Sequence, residues 1–124
     1  MPEGHSVHRL ARSLQRSFAG EVLRASSPQG RFAAGAELLD GRRLERVDAW
    51  GKHLFLEFAD DLVVHVHLGL YGDFLRAAAP APEARGAVRL RLEGARWYAD
   101  LRGPTACDLV GPDGRAAILA RLGP

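Results

Sequence analysis

A proline at position 2 is the first residue in this chain that could carry unusual chemistry. Met1 precedes it, and a small residue in second place permits removal of the initiator methionine, which exposes the secondary amine of Pro2. Such an amine can attack an aldehyde or a sugar C1′ and form an iminium, the Schiff-base route of covalent catalysis. Glu3 is its neighbour and could carry protons to a sugar ring oxygen or a leaving base. The positive end of a following helix favours the neutral amine and attracts phosphate. Met-Pro-Glu is also a common way to begin a helix, so positions 2 and 3 alone decide nothing.

Three internal segments add to this. Lys52, the only lysine in the chain, follows a glycine in Trp50-Gly51-Lys52. The glycine lets the backbone turn tightly, and an ammonium there could hold a phosphate or assist proton transfer at an amine. A β-bulge carrying a solvated lysine is the plainer reading. In His67-Leu68-Gly69-Leu70-Tyr71-Gly72, glycines flank Leu70 and Tyr71 and mark a tight loop that pushes both side chains outward. An exposed Leu-Tyr pair is a candidate wedge for the gap left by a flipped nucleotide; a turn that returns both to the core is the alternative. His65 and His67 lie two apart on one strand face, as metal ligands sometimes do. No third ligand is evident nearby, which favours a satisfied or phosphate-binding pair and no metal. Asp100-Leu101-Arg102-Gly103-Pro104-Thr105 displays Arg102 on a turn from which it could enter a groove or oppose an orphaned base. Arg31, beside Gly30, is a weaker version of the same idea.

The elements that must position these residues follow from hydrophobic period. Val7, Leu10, Ala11, Leu14 and Phe18 form a buried stripe on a helix over residues 3–18, with Gly20 as its stop. Period two then predicts strands over 22–26 and 43–50, separated by a Gly/Ala-rich loop around 29–35. Strands over 53–58 and 62–68 form a hairpin through Ala59-Asp60-Asp61, with Leu54, Leu56 and Phe58 on one face and Leu62, Val64, Val66 and Leu68 likewise. A short strand over 73–76 precedes an Ala/Pro-rich loop over 77–85. A second hairpin runs over 87–92, turns at Glu93-Gly94 and returns over 96–101, with Val88, Leu90 and Leu92 facing opposite to Arg89 and Arg91. A helix over 113–122 closes the chain. The expected fold is α+β, mainly β: a two-layer β-sandwich of about eight strands flanked by an N-terminal and a C-terminal helix.

Composition bounds the function classes. A chain of 124 residues with 47% apolar content is one domain able to bury a core without disulfides or metals. Cys107 is the single cysteine, so there is no internal disulfide and no four-ligand zinc site. A reducing intracellular compartment is the natural expectation. No apolar run is long enough for a membrane span, and the start lacks the pattern of a secretion signal. The net charge is only +2, but apart from Lys52 every residue of the Lys/Arg pair is arginine. Arginine suits bidentate phosphate contacts, although a coding bias towards Arg, Ala and Gly gives the same composition. The final Gly123-Pro124 reads as the end of a helix and the beginning of a linker, a domain boundary.

Met1-Pro2-Glu3-Gly4-His5, Trp50-Gly51-Lys52-His53-Leu54, the 67–72 loop and the 100–105 turn occur in this order. Together they resemble the formamidopyrimidine-DNA glycosylase/endonuclease VIII family, and more closely its endonuclease VIII-like branch. The resemblance implies a base-excision-repair glycosylase/AP lyase that removes oxidised bases, pyrimidines foremost. An N-terminal proline Schiff base and β/δ-elimination would cleave the strand. It implies Pro2 as nucleophile, Glu3 as its acidic partner and Lys52 as the active-site lysine. Leu70 would intercalate with Tyr71 beside it, and Arg102 would oppose the estranged base; Arg31 and His67, from their own settings, are the further candidate DNA contacts. The formamidopyrimidine branch follows that arginine with a second arginine and a phenylalanine, where this chain has Gly103 and Pro104. Gly69 stands where some endonuclease VIII enzymes carry a polar side chain. The family's helix-two-turn-helix and zinc-finger domain is absent from this sequence, so residues 1–124 correspond to the N-terminal catalytic domain. No cofactor is expected in this chain, and a structural zinc only in that other domain. The expected partners are damaged double-stranded and abasic-site DNA, with a monomeric, cytoplasmic, nucleoid-associated protein and no membrane. The alternatives are a non-catalytic DNA-binding module and an unrelated small β-sandwich.

Overall fold

The computed structural model describes residues 3–122, with side chains from Val7 onward. Pro2 therefore lies outside the described residues, and Glu3 enters only as the first residue of a helix.

Helix α1 (Glu3–Phe18) opens the fold, followed by β1 (Val22–Ser26), α2 (Ala33–Leu39), β2 (Arg42–Trp50), β3 (His53–Phe58) and β4 (Leu62–His67). Strands β5 (Asp73–Ala78), β6 (Val88–Glu93), β7 (Trp97–Arg102) and β8 (Ala106–Val110) precede α3 (Pro112–Leu122). All strand pairs are antiparallel, in the order β5-β7-β6-β1-β2-β3-β4-β8. Strand β1 is the joint. Its first two residues pair with β2 (Val22↔Arg43, Leu23↔Arg42) and its last three with β6. The two halves double over this joint, because a single apolar cluster draws Leu54, Leu56, Val64 and Val66 from one and Leu90, Leu92, Ala99 and Leu101 from the other. That is the two-layer arrangement the strand pattern predicts.

The stripe on α1 is buried as the period requires: Val7, Ala11, Leu14 and Phe18 are in this core, with Leu10 packed against it. Gln15 Oε1 accepts from the Val47 amide at 2.7 Å, and the Gly20 amide donates to the Leu44 carbonyl at 2.8 Å. The helix therefore runs antiparallel to β2, against which it lies.

Strands β3 and β4 are covered on both faces. Phe55 and Val63 point away from the main core and form a second cluster with Ile118 of α3. Arg115 ties that helix down, with its guanidinium 3.2 Å from Asp48, 3.7 Å from Glu57 and 5.2 Å over the Phe55 ring.

Two elements go beyond the periodicity. Residues 33–39 form α2 within what reads as a loop, and its buried Ala36 and Leu39 are the reason it docks. Residues 106–110 form β8 by pairing with β4 from Val63↔Val110 to His67↔Ala106. Strand β5 also continues to Ala78, two residues into the expected loop.

Candidate functional site

Lys52 sits in a two-residue connection, since Trp50 pairs with His53 across β2 and β3. Gly51 takes φ +59°, a conformation that favours glycine and allows so short a turn. The first turn of α1 arrives at the same end of the layer. From Gln15 back to Glu3 the helix rises about 18 Å, and from Val47 onward to Lys52 a strand advances about 16 Å. The antiparallel packing thus brings the helix start level with the lysine turn. Trp50, Gly51, Lys52, His53, His67 and Leu122 line an open pocket of about 410 Å³ at this end.

Behind Lys52 three imidazoles stack. The β3–β4 register sets His53 opposite His67 and Phe55 opposite His65. The His53 and His67 rings are 4.3 Å apart at 17°, and His53 and His65 are 5.0 Å apart at 10°. His53 Nδ1 and His65 Nε2 are 2.8 Å apart, a hydrogen bond sharing one proton. On its far side His65 Nδ1 faces the Asp108 carboxylate at 4.0 Å. Burial pushes the His53 imidazole down to about 4, helped by His67, His65 and Arg121. Burial also lowers His65, against the pull of Asp108. Both rings are therefore neutral at pH 7.

His65 and His67 do share a strand face, but the partner that the sequence reading lacks is His53, reached across the hairpin. Its signal was the turn length: a three-residue connection after Phe58 fixes the register that opposes His53 to His67. Among the described residues no group of three or more His, Cys, Asp or Glu is placed to hold a metal. Burial pushes the Cys107 thiol up to about 12, so it carries no thiolate chemistry.

The 67–72 loop projects its apolar pair into solvent, with Leu70 at 75% and Tyr71 at 86% exposure. It is braced from below. Gly69 takes φ +68°, and a Cβ there would lie 2.1 Å from Thr105 Oγ1, so only glycine fits. The Thr105 amide donates to the His67 carbonyl at 2.8 Å, and the Gly72 amide to the Leu68 carbonyl at 3.0 Å. The 100–105 turn and the 67–72 loop are thus one unit.

Arg102, on that turn, does not stand free. Its Nε and a terminal nitrogen donate to the Arg85 carbonyl at 3.2 and 2.9 Å, and it lies 3.7 Å from Asp100. Arg31 is exposed and lines a different groove, against α2 and residues 107–109 of β8. Leu70, Tyr71, Lys52 and His67 therefore lie on linked turns, whereas Arg102 is folded back and Arg31 belongs to another surface. Among the described residues no helix is long and apolar enough to cross a membrane.

Known proteins share both sequence and fold with this chain. The family model for the formamidopyrimidine-DNA glycosylase N-terminal domain matches residues 1–107. Endonuclease 8 1 of Mycobacterium tuberculosis (strain ATCC 25618 / H37Rv) is 55% identical over 128 residues, covering 100% of this chain and 48% of that protein. The formamidopyrimidine-DNA glycosylase of Acidothermus cellulolyticus is 32% identical over 94 residues, covering 68% of this chain and 33% of that protein. Among solved structures, MutM in complex with DNA containing carbocyclic 8-oxo-G superposes with a TM-score of 0.76 at 19% identity, over 97% of this chain and 48% of that one. Lactococcus lactis formamidopyrimidine-DNA glycosylase, non-covalently bound to DNA containing an AP site, gives 0.74 at 18%, over 98% and 48%. At such identities the superpositions show a shared fold. The chain spans about half the length of Endonuclease 8 1 and of these two structures.

Proposed function

Because the chain belongs to the formamidopyrimidine-DNA glycosylase N-terminal domain family, we propose that it is the nucleophile-bearing half of a base-excision-repair glycosylase/AP lyase. The observation that supports this reading is the antiparallel packing of α1 on β2, which directs the helix start towards the end of the layer that bears the Lys52 turn. The Pro2 amine attacks C1′ of a nucleotide flipped from damaged duplex DNA, and the base departs. The resulting iminium undergoes β- and then δ-elimination, which cuts the strand. Glu3 moves protons at the sugar and leaving base, while Lys52 and His67 hold the flanking phosphates. Leu70 fills the vacated stack with Tyr71 beside it.

Oxidised pyrimidines are the proposed lesion class, as the motif resemblance to the endonuclease VIII-like branch implies. The AP-site complex of the Lactococcus lactis enzyme supports abasic DNA as a second substrate. Arg102 would have to leave Arg85 to oppose the estranged base, and Arg31 would add a peripheral phosphate contact. A helix-two-turn-helix and zinc-finger domain joined to this one would supply the rest of the DNA grip and hold a structural zinc. The setting is a cytoplasmic, nucleoid-associated monomer. A second reading is a DNA-binding module without catalysis by itself.

Borohydride trapping on a duplex with one abasic site separates the two, once mass spectrometry shows Met1 removed. A covalent adduct mapped to the α-amine of residue 2, and lost when that amine is blocked by a retained Met1, supports the enzyme. Salt-sensitive binding without an adduct supports the module.

A further inference from the structure

We propose that His53 is a positioning residue for the Lys52–His67 face: an Asp108–His65–His53 relay fixes its tautomer, and its ring holds His67 by stacking. The effect on DNA rests on the phosphate reading of that face, whereas the relay stands on ring geometry.

A neutral imidazole carries one N–H, so the 2.8 Å contact between His53 Nδ1 and His65 Nε2 contains a single proton with two possible owners. If His65 donated it, its Nδ1 lone pair would face the Asp108 carboxylate at 4.0 Å, which is repulsive. If His53 donates it, His65 turns an Nδ1–H towards that carboxylate. Asp108 therefore selects the second arrangement, with the His53 proton on Nδ1 and its Nε2 left as an acceptor.

The charged and titratable groups around the relay are consistent with this. Asp108 approaches from β8, His65 and His67 from β4, Arg121 from α3, and Lys52 precedes His53 in the turn. Burial and Arg121 lower both His53 and His65, and among the described residues the Asp108 carboxylate opposes this at His65. His67, opposite His53 in the register, is then confined by a parallel ring at 4.3 Å. Confinement of a half-buried phosphate ligand before binding reduces the ordering that binding must impose.

The test uses this chain with a duplex carrying one tetrahydrofuran abasic analogue, together with long-range nitrogen-15 spectra of the free protein's histidines. The spectra are expected to show a proton on Nδ1 of both His53 and His65. Asp108→Asn should mix the tautomers, because a carboxamide can face either form, and as an exposed substitution it leaves folding intact. His53→Phe keeps the ring that confines His67 and should bind the duplex within about twofold of the parent chain. His53→Asn keeps a donor for His65 Nε2 but has no ring over His67, and is expected to weaken duplex binding about fivefold. A proton on His53 Nε2, or equal affinity of the Phe and Asn variants, overturns the proposal. Should Lys52→Ala bind as tightly as the parent, the phosphate reading fails while the spectra still decide the relay.

Discussion

Two polar clusters, one buried and one half-buried, sit at opposite ends of the strand order, and they are built by different rules. On the β6–β7 hairpin, Arg91 forms a two-pronged pair with Asp100, with contacts of 2.8 and 2.9 Å, and both side chains are under a tenth exposed. A third donation goes to the Pro82 carbonyl, and the Tyr98 ring lies 5.2 Å from the guanidinium. Opposite charges here cancel each other and every prong has a partner. At the β3–β4 end, His53, His65 and His67 hold no pair of fixed opposite charges, and the ring stack borders an open pocket. The first cluster is satisfied from within and can only hold the hairpin together. The second faces an opening beside Lys52, and its state depends on protons, which suits a surface that must receive a ligand.

Breaking the first cluster is expected to have the largest effect. Arg91→Ala strands the Asp100 carboxylate under the 79–87 loop, at a cost of about 3–5 kcal/mol. Urea titration should show the midpoint fall with little change in slope. Replacing both members together by apolar residues of similar volume should restore most of that loss, since the pair's desolvation cost disappears with it. A loss as large in the double variant as in the single one would contradict the view of a self-contained clamp.

Acid should act on the second cluster. Unfolded, His53 takes up a proton near its ordinary 6.5; folded, it waits until about 4. Between those values the unfolded chain binds more protons, so stability falls as the pH drops through this window and is fully present above it. His65 acts in the same direction. Because the His53 ring is partly open to solvent, the expected loss is held to about 1–2 kcal/mol. Urea midpoints at about pH 7.5 and about pH 4.5 measure it, and His53→Phe should flatten the slope.

The two clusters also differ in how far the sequence shows them. Period two put Arg91 opposite Leu90 and Leu92, which is correct, but an outward face reads as solvent. Only the 79–87 loop folding over it makes Arg91 buried, and local pattern does not encode that contact. His53 was hidden for the same reason: its partners are 12 and 14 positions away and meet only through register. The α1 stripe and both hairpins were legible, because each follows from a period, whereas the flanking glycines left open whether Leu70 and Tyr71 face solvent or return to the core. Helix α2 was not, since its short Ala/Gly segment has no period and forms only because Ala36 and Leu39 find the core. Strand β8 likewise exists through pairing with β4. Pro2 and Glu3 rest on motif resemblance alone, and their side chains lie outside the described residues.

The smallest expected effects on stability belong to Leu70 and Tyr71 of the 67–72 loop. Leu70 and Tyr71 leave little apolar surface in the fold, so Leu70→Ala and Tyr71→Ala should each change unfolding free energy by less than about 0.5 kcal/mol. Gly69→Ala is the contrasting control: with φ +68° and Thr105 Oγ1 in the way, it should destabilise by about 1–3 kcal/mol and displace the loop. If the exposed pair fills the space left by a flipped nucleotide, the two alanine variants lose affinity for a duplex with an abasic analogue. Their weaker, non-specific binding to undamaged duplex should stay unchanged. Equal losses on both duplexes would instead make the loop a general contact, and no loss on either would remove it from the interface. Loss confined to the abasic duplex, at unaltered stability, would set this loop apart from the Arg91–Asp100 clamp as surface kept for a partner and not for the fold.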